Sequence, residues 1–170
     1  MNLTNEEKRK LEDIYQRFLN DEKILKMKEI SMHRGSNTYI HSFKVAKLAI
    51  KRALKRRKKL DLESILIASI LHDYYLYDWR KNKKLKKHHA SRHPFISVEN
   101  AKRDFDIPES VAYIIKVHMW PYNFKMFPKS TEARIVNNAD NIVATKEVFT
   151  SKKHKDKNVD KYLDYIKTLF

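Results

Sequence analysis

The chain has 170 residues, 42% of them hydrophobic, with no cysteine, one glycine and a formal net charge of +16. The absence of cysteine excludes a disulfide framework and thiolate chemistry, and the single glycine excludes the glycine-rich phosphate-binding loops of nucleotide-binding folds. No apolar stretch reaches the roughly 18–20 residues that span a bilayer, and the polar start of the chain is unlike a secretory signal. We therefore predict one globular domain in the cytoplasm, with no membrane partner.

The positive charge is concentrated in two runs that contain no acidic residue. Nine lysines and arginines lie between Lys44 and Lys59, and seven lie between Arg80 and Arg92. Such a field attracts anions and speeds their association, but the lysines of a lysine-rich chain also serve simply to solvate helix surfaces. A nucleic acid is therefore left open as a partner, without being favoured by the charge alone.

Hydrophobic periodicity predicts helices through the first half of the chain. An amphipathic N-terminal helix is expected over residues 4–28, and a loop around the only glycine follows at residues 31–38. The next helix is expected over residues 39–58. Asp61 is a suitable N-cap for a third helix over residues 62–71, which is apolar on almost every side. This pattern is typical of a central buried helix.

The second half is also predicted to be helical, apart from one long loop. The aromatic and basic segment from Tyr74 to Arg92 is expected to form that loop, with at most a short helical turn. Helices are then expected at four places, residues 93–104, 106–120, 131–149 and 159–170. The scarcity of glycine supports the interpretation, because β-rich folds need glycine in their turns.

Together these elements predict an all-α fold with a single domain over residues 1–170. We expect a bundle of about six to eight helices around the buried helix at residues 62–71. Residues 33–147 should form its core, and the helices at residues 4–28 and 159–170 should pack on that core.

Six groups that commonly bind metal ions lie on apolar helix faces or at helix ends, namely His41, His72, Asp73, His93, His118 and Asp140. Any one of them alone is more simply a core residue with a hydrogen-bonding partner. Together they are harder to accommodate, because each buried polar group without a partner costs roughly 1–3 kcal/mol. Convergence on a cation would satisfy all of them, so we predict a metal site between successive helices.

The types of donor atom narrow the choice of metal. A ligand set of imidazoles and carboxylates, with no sulfur ligand, favours transition metals over calcium, which prefers oxygen ligands. Six ligands exceed what one catalytic ion takes, and they suit two ions about 3.5–4 Å apart. We expect Asp73 to bridge them. The predicted cofactors are therefore two divalent transition-metal ions, iron or manganese first, with zinc, cobalt, nickel or magnesium as alternatives.

The order of these residues resembles that of the HD superfamily of metal-dependent phosphohydrolases. The segments that carry the resemblance are His41-Ser42-Phe43-Lys44, Leu71-His72-Asp73, His93-Pro94, His118-Met119-Trp120-Pro121 and Asn138-Ala139-Asp140-Asn141. The two intervening histidines are similar to those of the dinuclear branch, as in HD-type diadenosine tetraphosphate hydrolases, and the longer segments resemble uncharacterised bacterial HD phosphohydrolases. The resemblance spans residues 33–147. It implies a helical HD domain that hydrolyses phosphorylated compounds through a metal-activated water.

The resemblance and the positions in the sequence together suggest roles for neighbouring side chains. Asp73 is expected to act in catalysis through the metal ions, and Lys44 stands where many relatives have a phosphate-binding arginine. His89 is a candidate proton donor to the leaving oxygen. The further candidates for substrate binding, besides Lys44, are His33, Arg80, Arg92 and Trp120.

The favoured hypothesis is a metal-dependent phosphohydrolase that acts on a nucleotide or another small phosphorylated compound. The alternatives are a basic nucleic-acid-binding protein with a structural metal site and a regulatory HD protein that binds a nucleotide without hydrolysing it. The six ligands favour the enzyme, because a basic binding protein needs no buried set of histidines and aspartates. The sequence leaves the substrate and the oligomeric state open.

Overall fold

The computed structural model of the protein describes residues 3–32, 36–81 and 83–149, and this part of the chain is mostly helical. Its α-helices are α1 (Asn5–Asn20), α2 (Glu22–Leu25), α3 (Thr38–Leu54), α4 (Leu62–Leu71), α5 (Lys83–Phe105), α6 (Glu109–Val117) and α7 (Thr131–Phe149). Short 3-10 helices cover Lys26–Glu29 and Trp79–Lys81. The described residues contain no strand, only an isolated β-bridge between Ser31 and Asn37. The predicted all-α fold is confirmed.

Helix α4 lies at the centre of the bundle, as its sequence predicts. It packs against α1, α3, α6 and α7, and eight of its ten residues are buried. The carboxylate of Asp61 accepts a hydrogen bond from the Ser64 backbone amide at 2.9 Å, which caps the start of the helix. His72 and Asp73 follow directly at the other end, so a tightly packed helix positions both of them.

Helix α1 covers one side of α4 with an amphipathic face. Its buried side chains are Leu11, Tyr15 and Phe18. The single helix predicted over residues 4–28 is interrupted at Asp21, because the carboxylate of this residue accepts a hydrogen bond from the Lys23 backbone amide at 2.8 Å and starts α2. The predicted N-terminal helix is therefore divided into α1, α2 and a 3-10 turn.

Helix α3 ends at Leu54, before the predicted end at Lys58. Its last buried residue is Ala53, and residues 55–59 are all exposed cations. Like charges on neighbouring helical positions repel one another, and this segment has no apolar face to bury. Both effects oppose continuation of the helix.

Helix α5 begins at Lys83 and not at the predicted His93, so Pro94 lies inside it. The loop predicted immediately before His93 is wrong for this part of the chain. Proline lacks an amide proton and removes a backbone hydrogen bond, which is why the sequence indicated a helix start there. The imidazole of His89 is stacked between Trp79 and His93. This stacking stabilises the helical turns before Pro94, although the proline removes one backbone hydrogen bond.

Of the remaining described helices, α6 is shorter than predicted and α7 is as predicted. Helix α6 follows Pro108, which occupies the N-cap position without a side-chain hydrogen bond, and it ends before His118. Helix α7 has the predicted bounds. The helix predicted over residues 159–170 lies outside the described residues. Among the helices that are described, none combines the length and the apolarity needed to cross a membrane.

Candidate metal centre

The structure brings all six predicted ligand residues together in the interior. They come from α3 (His41), the end of α4 (His72 and Asp73), the middle of α5 (His93), the end of α6 (His118) and α7 (Asp140). All of them are buried. Their ligand atoms form three groups within which they lie no more than 4.8 Å apart: His41, His72 and Asp73; His72, His118 and Asp140; and Asp73, His93 and His118.

Asp73 lies between two halves of this cluster, one with His41 and His72 and the other with His93 and His118. Its Oδ2 is 3.5 Å from Nε2 of His72 and 4.0 Å from Nε2 of His41. Its Oδ1 is 3.2 Å from Nε2 of His93 and 3.8 Å from Nε2 of His118. Burial opposes ionisation, but the neighbouring His72 and His93 hold the pKa of Asp73 well below its usual range. The ionised carboxylate thus presents each of its oxygens to a different pair of imidazoles.

Backbone carbonyls orient three of the four imidazoles. In His72, His93 and His118 the Nδ1–H donates to a carbonyl three or four residues earlier in the chain. The accepting carbonyls are, in that order, those of Ser69 at 2.8 Å, His89 at 3.0 Å and Ile115 at 2.7 Å. Because a carbonyl oxygen can only accept, each Nδ1 carries a proton, and Nε2 is the nitrogen of each ring that faces the cluster.

The donor atoms of the cluster fit a bound cation. Nε2 of His93 and Nε2 of His118 lie 3.0 Å apart, so a hydrogen bond between them would need a second proton on a ring whose Nδ1 is already protonated. Nε2 of His72 is buried and has no hydrogen-bond partner. Burial and the neighbouring His93 and His72 lower the pKa of His118 to about 3. Neutral imidazole nitrogens and ionised carboxylates are the forms that divalent transition metals bind.

His41 is held by carboxylates at both of its ring nitrogens. Its Nε2 lies 3.0 Å from Oδ1 of Asp140, and its Nδ1 lies 2.9 Å from Oε2 of Glu147. Burial alone would lower the pKa of His41, but these two hydrogen bonds outweigh it and raise the pKa to about 10. A cation bound by Nε2 would therefore replace the proton that this nitrogen shares with Asp140.

Comparison with known families agrees with this geometry. The family model of the HD domain matches residues 38–145, which include all six ligand residues. The chain belongs to the HD domain family. HD domains are generally metal-dependent hydrolases. No curated protein and no solved structure matches the sequence significantly.

Two residues that the sequence analysis missed support the cluster of this HD domain. Glu147 contacts the histidine of α3, and Asn137 donates from Nδ2 to the carbonyl of His118 at 2.6 Å and to the carbonyl of Trp120. Asn137 lies three residues before Asp140 on α7, and Glu147 lies seven residues after it. These spacings place all three on one helix face, so a search for polar residues at helical spacing from Asp140 would have found both.

His89 lies beside the cluster of the HD domain without belonging to any of the three ligand groups. Its ring stacks on His93 with centroids 4.6 Å apart and on Trp79 with centroids 4.9 Å apart. Its Nδ1 lies 2.9 Å from the Tyr77 hydroxyl. Burial and the neighbouring His93 lower the pKa of His89 to about 4. This imidazole is therefore neutral at pH 7 and supports the ring of His93.

Two of the predicted substrate-binding cations have protein partners. Nζ of Lys44 lies 3.3 Å from Oε1 of Glu147, and the lysine side chain is 17% exposed. The guanidinium of Arg80 donates to the carbonyls of Ser31 and Met32, the latter at 2.7 Å. Arg80 therefore contacts Ser31 and Met32, which precede α3 in the chain.

Two of the other predicted substrate-binding residues, Arg92 and Trp120, lie outside the cluster. Arg92 is exposed on α5, immediately before His93. Trp120 packs edge to face against Phe127, with ring centroids 5.4 Å apart. His33 lies outside the described residues. The structure thus brings the metal-ligand candidates together, whereas Arg80 and Trp120 make contacts of their own elsewhere.

Proposed function

We propose that this HD domain is a metal-dependent phosphohydrolase that cleaves a phosphate ester or anhydride of a nucleotide or another small phosphorylated compound. The observation that carries the proposal is the position of Asp73, whose two oxygens face separate pairs of histidines. One carboxylate shared in this way suits a centre with two ions. Such centres are a common solution for the hydrolysis of phosphoryl groups.

The proposed cofactors are two divalent transition-metal ions, with iron or manganese favoured. His41, His72 and Asp140 would hold one ion, His93 and His118 would hold the other, and Asp73 would be shared. When bound, the ions would lower the pKa of a water molecule and withdraw charge from the phosphoryl oxygens. Three of the imidazoles already commit their Nδ1 protons to backbone carbonyls, so their Nε2 atoms need little reorganisation to act as ligands.

Side chains around the cluster are proposed to bind the substrate. Lys44 would donate to a phosphate oxygen as a point charge, without the paired donors of an arginine. His89 would stabilise the leaving oxygen by donating a hydrogen bond from Nε2, in the tautomer whose Nδ1 accepts from the Tyr77 hydroxyl. The remaining candidates for contact with the substrate are His33, Arg80, Arg92 and Trp120.

A screen with added metal tests the proposal. The protein would be purified without oxygen, analysed for metal, and assayed with iron, manganese or zinc on nucleotides, dinucleoside polyphosphates, cyclic dinucleotides and sugar phosphates. We expect about two ions per chain and hydrolysis of at least one of these classes. The variant Asp73→Ala should lose both properties while circular dichroism shows that it remains helical. A protein that takes up no metal and hydrolyses none of the compounds would contradict the proposal.

A basic nucleic-acid-binding protein is the second candidate, and the exposed cations at residues 55–59 favour it. This segment follows the last buried turn of α3 and belongs to none of the three ligand groups. A protein that only binds polyanions has no use for six buried ligands. The two functions can therefore be separated by variants that change either the segment or Asp73.

A further inference from the structure

Glu147 is a buried acidic residue that the proposed ligand set does not include. It lies in the last turn of α7 and is 8% exposed. A buried carboxylate is costly unless its oxygens have partners. The partners of Glu147 therefore indicate what the side chain does.

The two oxygens of Glu147 contact different groups. Oε2 lies 2.9 Å from Nδ1 of His41, whereas Oε1 accepts hydrogen bonds from the Ser36 hydroxyl at 3.2 Å and from the Lys44 ammonium at 3.3 Å. The two donors on Oε1 hold the carboxylate in one orientation. Oε2 is thereby directed at the ring of His41.

This arrangement distinguishes His41 from the other three histidines of the cluster. His72, His93 and His118 donate their Nδ1–H to neutral backbone carbonyls, while His41 faces an ionised carboxylate. A negatively charged partner on Nδ1 fixes the tautomer and makes Nε2 a stronger donor to a metal ion. The half of the cluster that contains His41 also includes Asp140, so it carries more negative charge than the half formed by His93 and His118.

We propose that Glu147 is the positioning residue of His41 and that it makes the ion on the His41 side bind more tightly than the ion on the His93 side. The inference rests on the proposed function, because it assumes that the cluster binds two ions. Lys44 and Ser36 act through Glu147 by fixing its carboxylate. The two ions then bind in order, and the first ion binds on the His41 side, which also contains Asp140.

A zinc titration with a competing chelator tests the order of binding. The wild type should show a tight phase and a weaker phase. Glu147→Ala should weaken the tight phase by about 10–100-fold and leave the weaker phase unchanged. Glu147→Gln should recover part of the loss, since its amide oxygen still accepts from Nδ1–H. The exposed Glu99 of α5 supplies the matched control, and Glu99→Gln should behave like the wild type.

Ring-nitrogen NMR of His41 gives a second measurement that needs no metal. A slowly exchanging Nδ1–H signal should be present in the wild type and in Glu147→Gln, and absent from Glu147→Ala. Persistence of that signal in folded Glu147→Ala would overturn the inference. The inference is also overturned if Glu147→Ala loses thermal stability but binds zinc as the wild type does. A Glu147 that only stabilises the packing of α7 on α3 would give this result.

The two proposals can fail separately. If the wild type takes up neither zinc, iron nor manganese, the proposed function fails, and with it the ordered binding of two ions. The NMR signal would still decide whether Glu147 positions His41. If zinc binds in two phases that Glu147→Ala leaves unchanged, the metal centre stands and the role of Glu147 is refuted.

Discussion

Replacement of Asp73 by asparagine removes the charge between the two halves of the metal centre and keeps the shape of the side chain. Both oxygens of Asp73 face imidazoles, so both proposed ions would lose an anionic ligand. Asp140→Asn is the informative comparison. Oδ1 of Asp140 lies 3.0 Å from Nε2 of His41 and 3.6 Å from Nε2 of His72, so this substitution should affect mainly the ion of that half.

The expected effect on stability follows from the number of ions. An ion that binds only the folded state stabilises it by about 2.7 kcal/mol when its free concentration is 100 times the Kd. Two ions contribute about 5 kcal/mol, and each kcal/mol raises the Tm of a domain of this size by about 2–4 °C. Saturating metal should therefore raise the Tm of the wild type by about 10–20 °C, that of Asp140→Asn by about half as much, and that of Asp73→Asn very little.

Calorimetry of each variant with manganese and with chelator measures these shifts, and metal analysis counts the ions. We expect about two ions in the wild type, one in Asp140→Asn and none in Asp73→Asn. Asp106→Asn is the control, because this exposed residue has φ 47°, a conformation that asparagine tolerates. Equal losses in Asp73→Asn and Asp140→Asn would refute the reasoning, since a shared carboxylate must matter to both ions.

Two further predictions concern pH and surface charge. In protein stripped of metal, the free energy of unfolding should fall as the pH rises from 6.5 towards 10. The reason is that the pKa of His41 has its ordinary value of 6.5 in the unfolded chain and is raised to about 10 in the folded protein. Urea denaturation between pH 6.5 and 10 measures this loss of stability. The pH dependence should disappear in His41→Gln, and an unchanged slope in that variant would contradict the assignment to His41. Charge reversal at residues 55–58 should weaken binding of a single-stranded oligonucleotide and leave hydrolysis of small phosphorylated compounds intact. A wild type without hydrolysis, whose oligonucleotide binding is kept in Asp73→Ala and lost on charge reversal, would instead favour the nucleic-acid-binding protein.

The positions of most helices could be predicted, because the features that determine them lie in the local sequence. Helix α4 has no polar face, and a helix of this kind is stable only where other helices surround it, which is what the structure shows. The start of α5 could not be predicted in the same way. Pro94 is a local signal for a helix start, whereas the stacking of His89 on Trp79 joins α5 to the 3-10 turn before it. That contact depends on how the segments pack.

The sequence by itself determined the candidate ligands of the metal centre. Imidazoles and carboxylates on apolar helix faces are costly to bury singly, and their order is that of the HD domain family, to which the chain belongs. The orientation of three imidazoles is also nearly local, since each contacts a carbonyl within four residues. Only the tertiary structure decided which ligands face each other across Asp73 and that Glu147 contacts His41 from 106 residues away. Such contacts leave no periodic pattern in the chain, because they form only when α3 and α7 pack side by side.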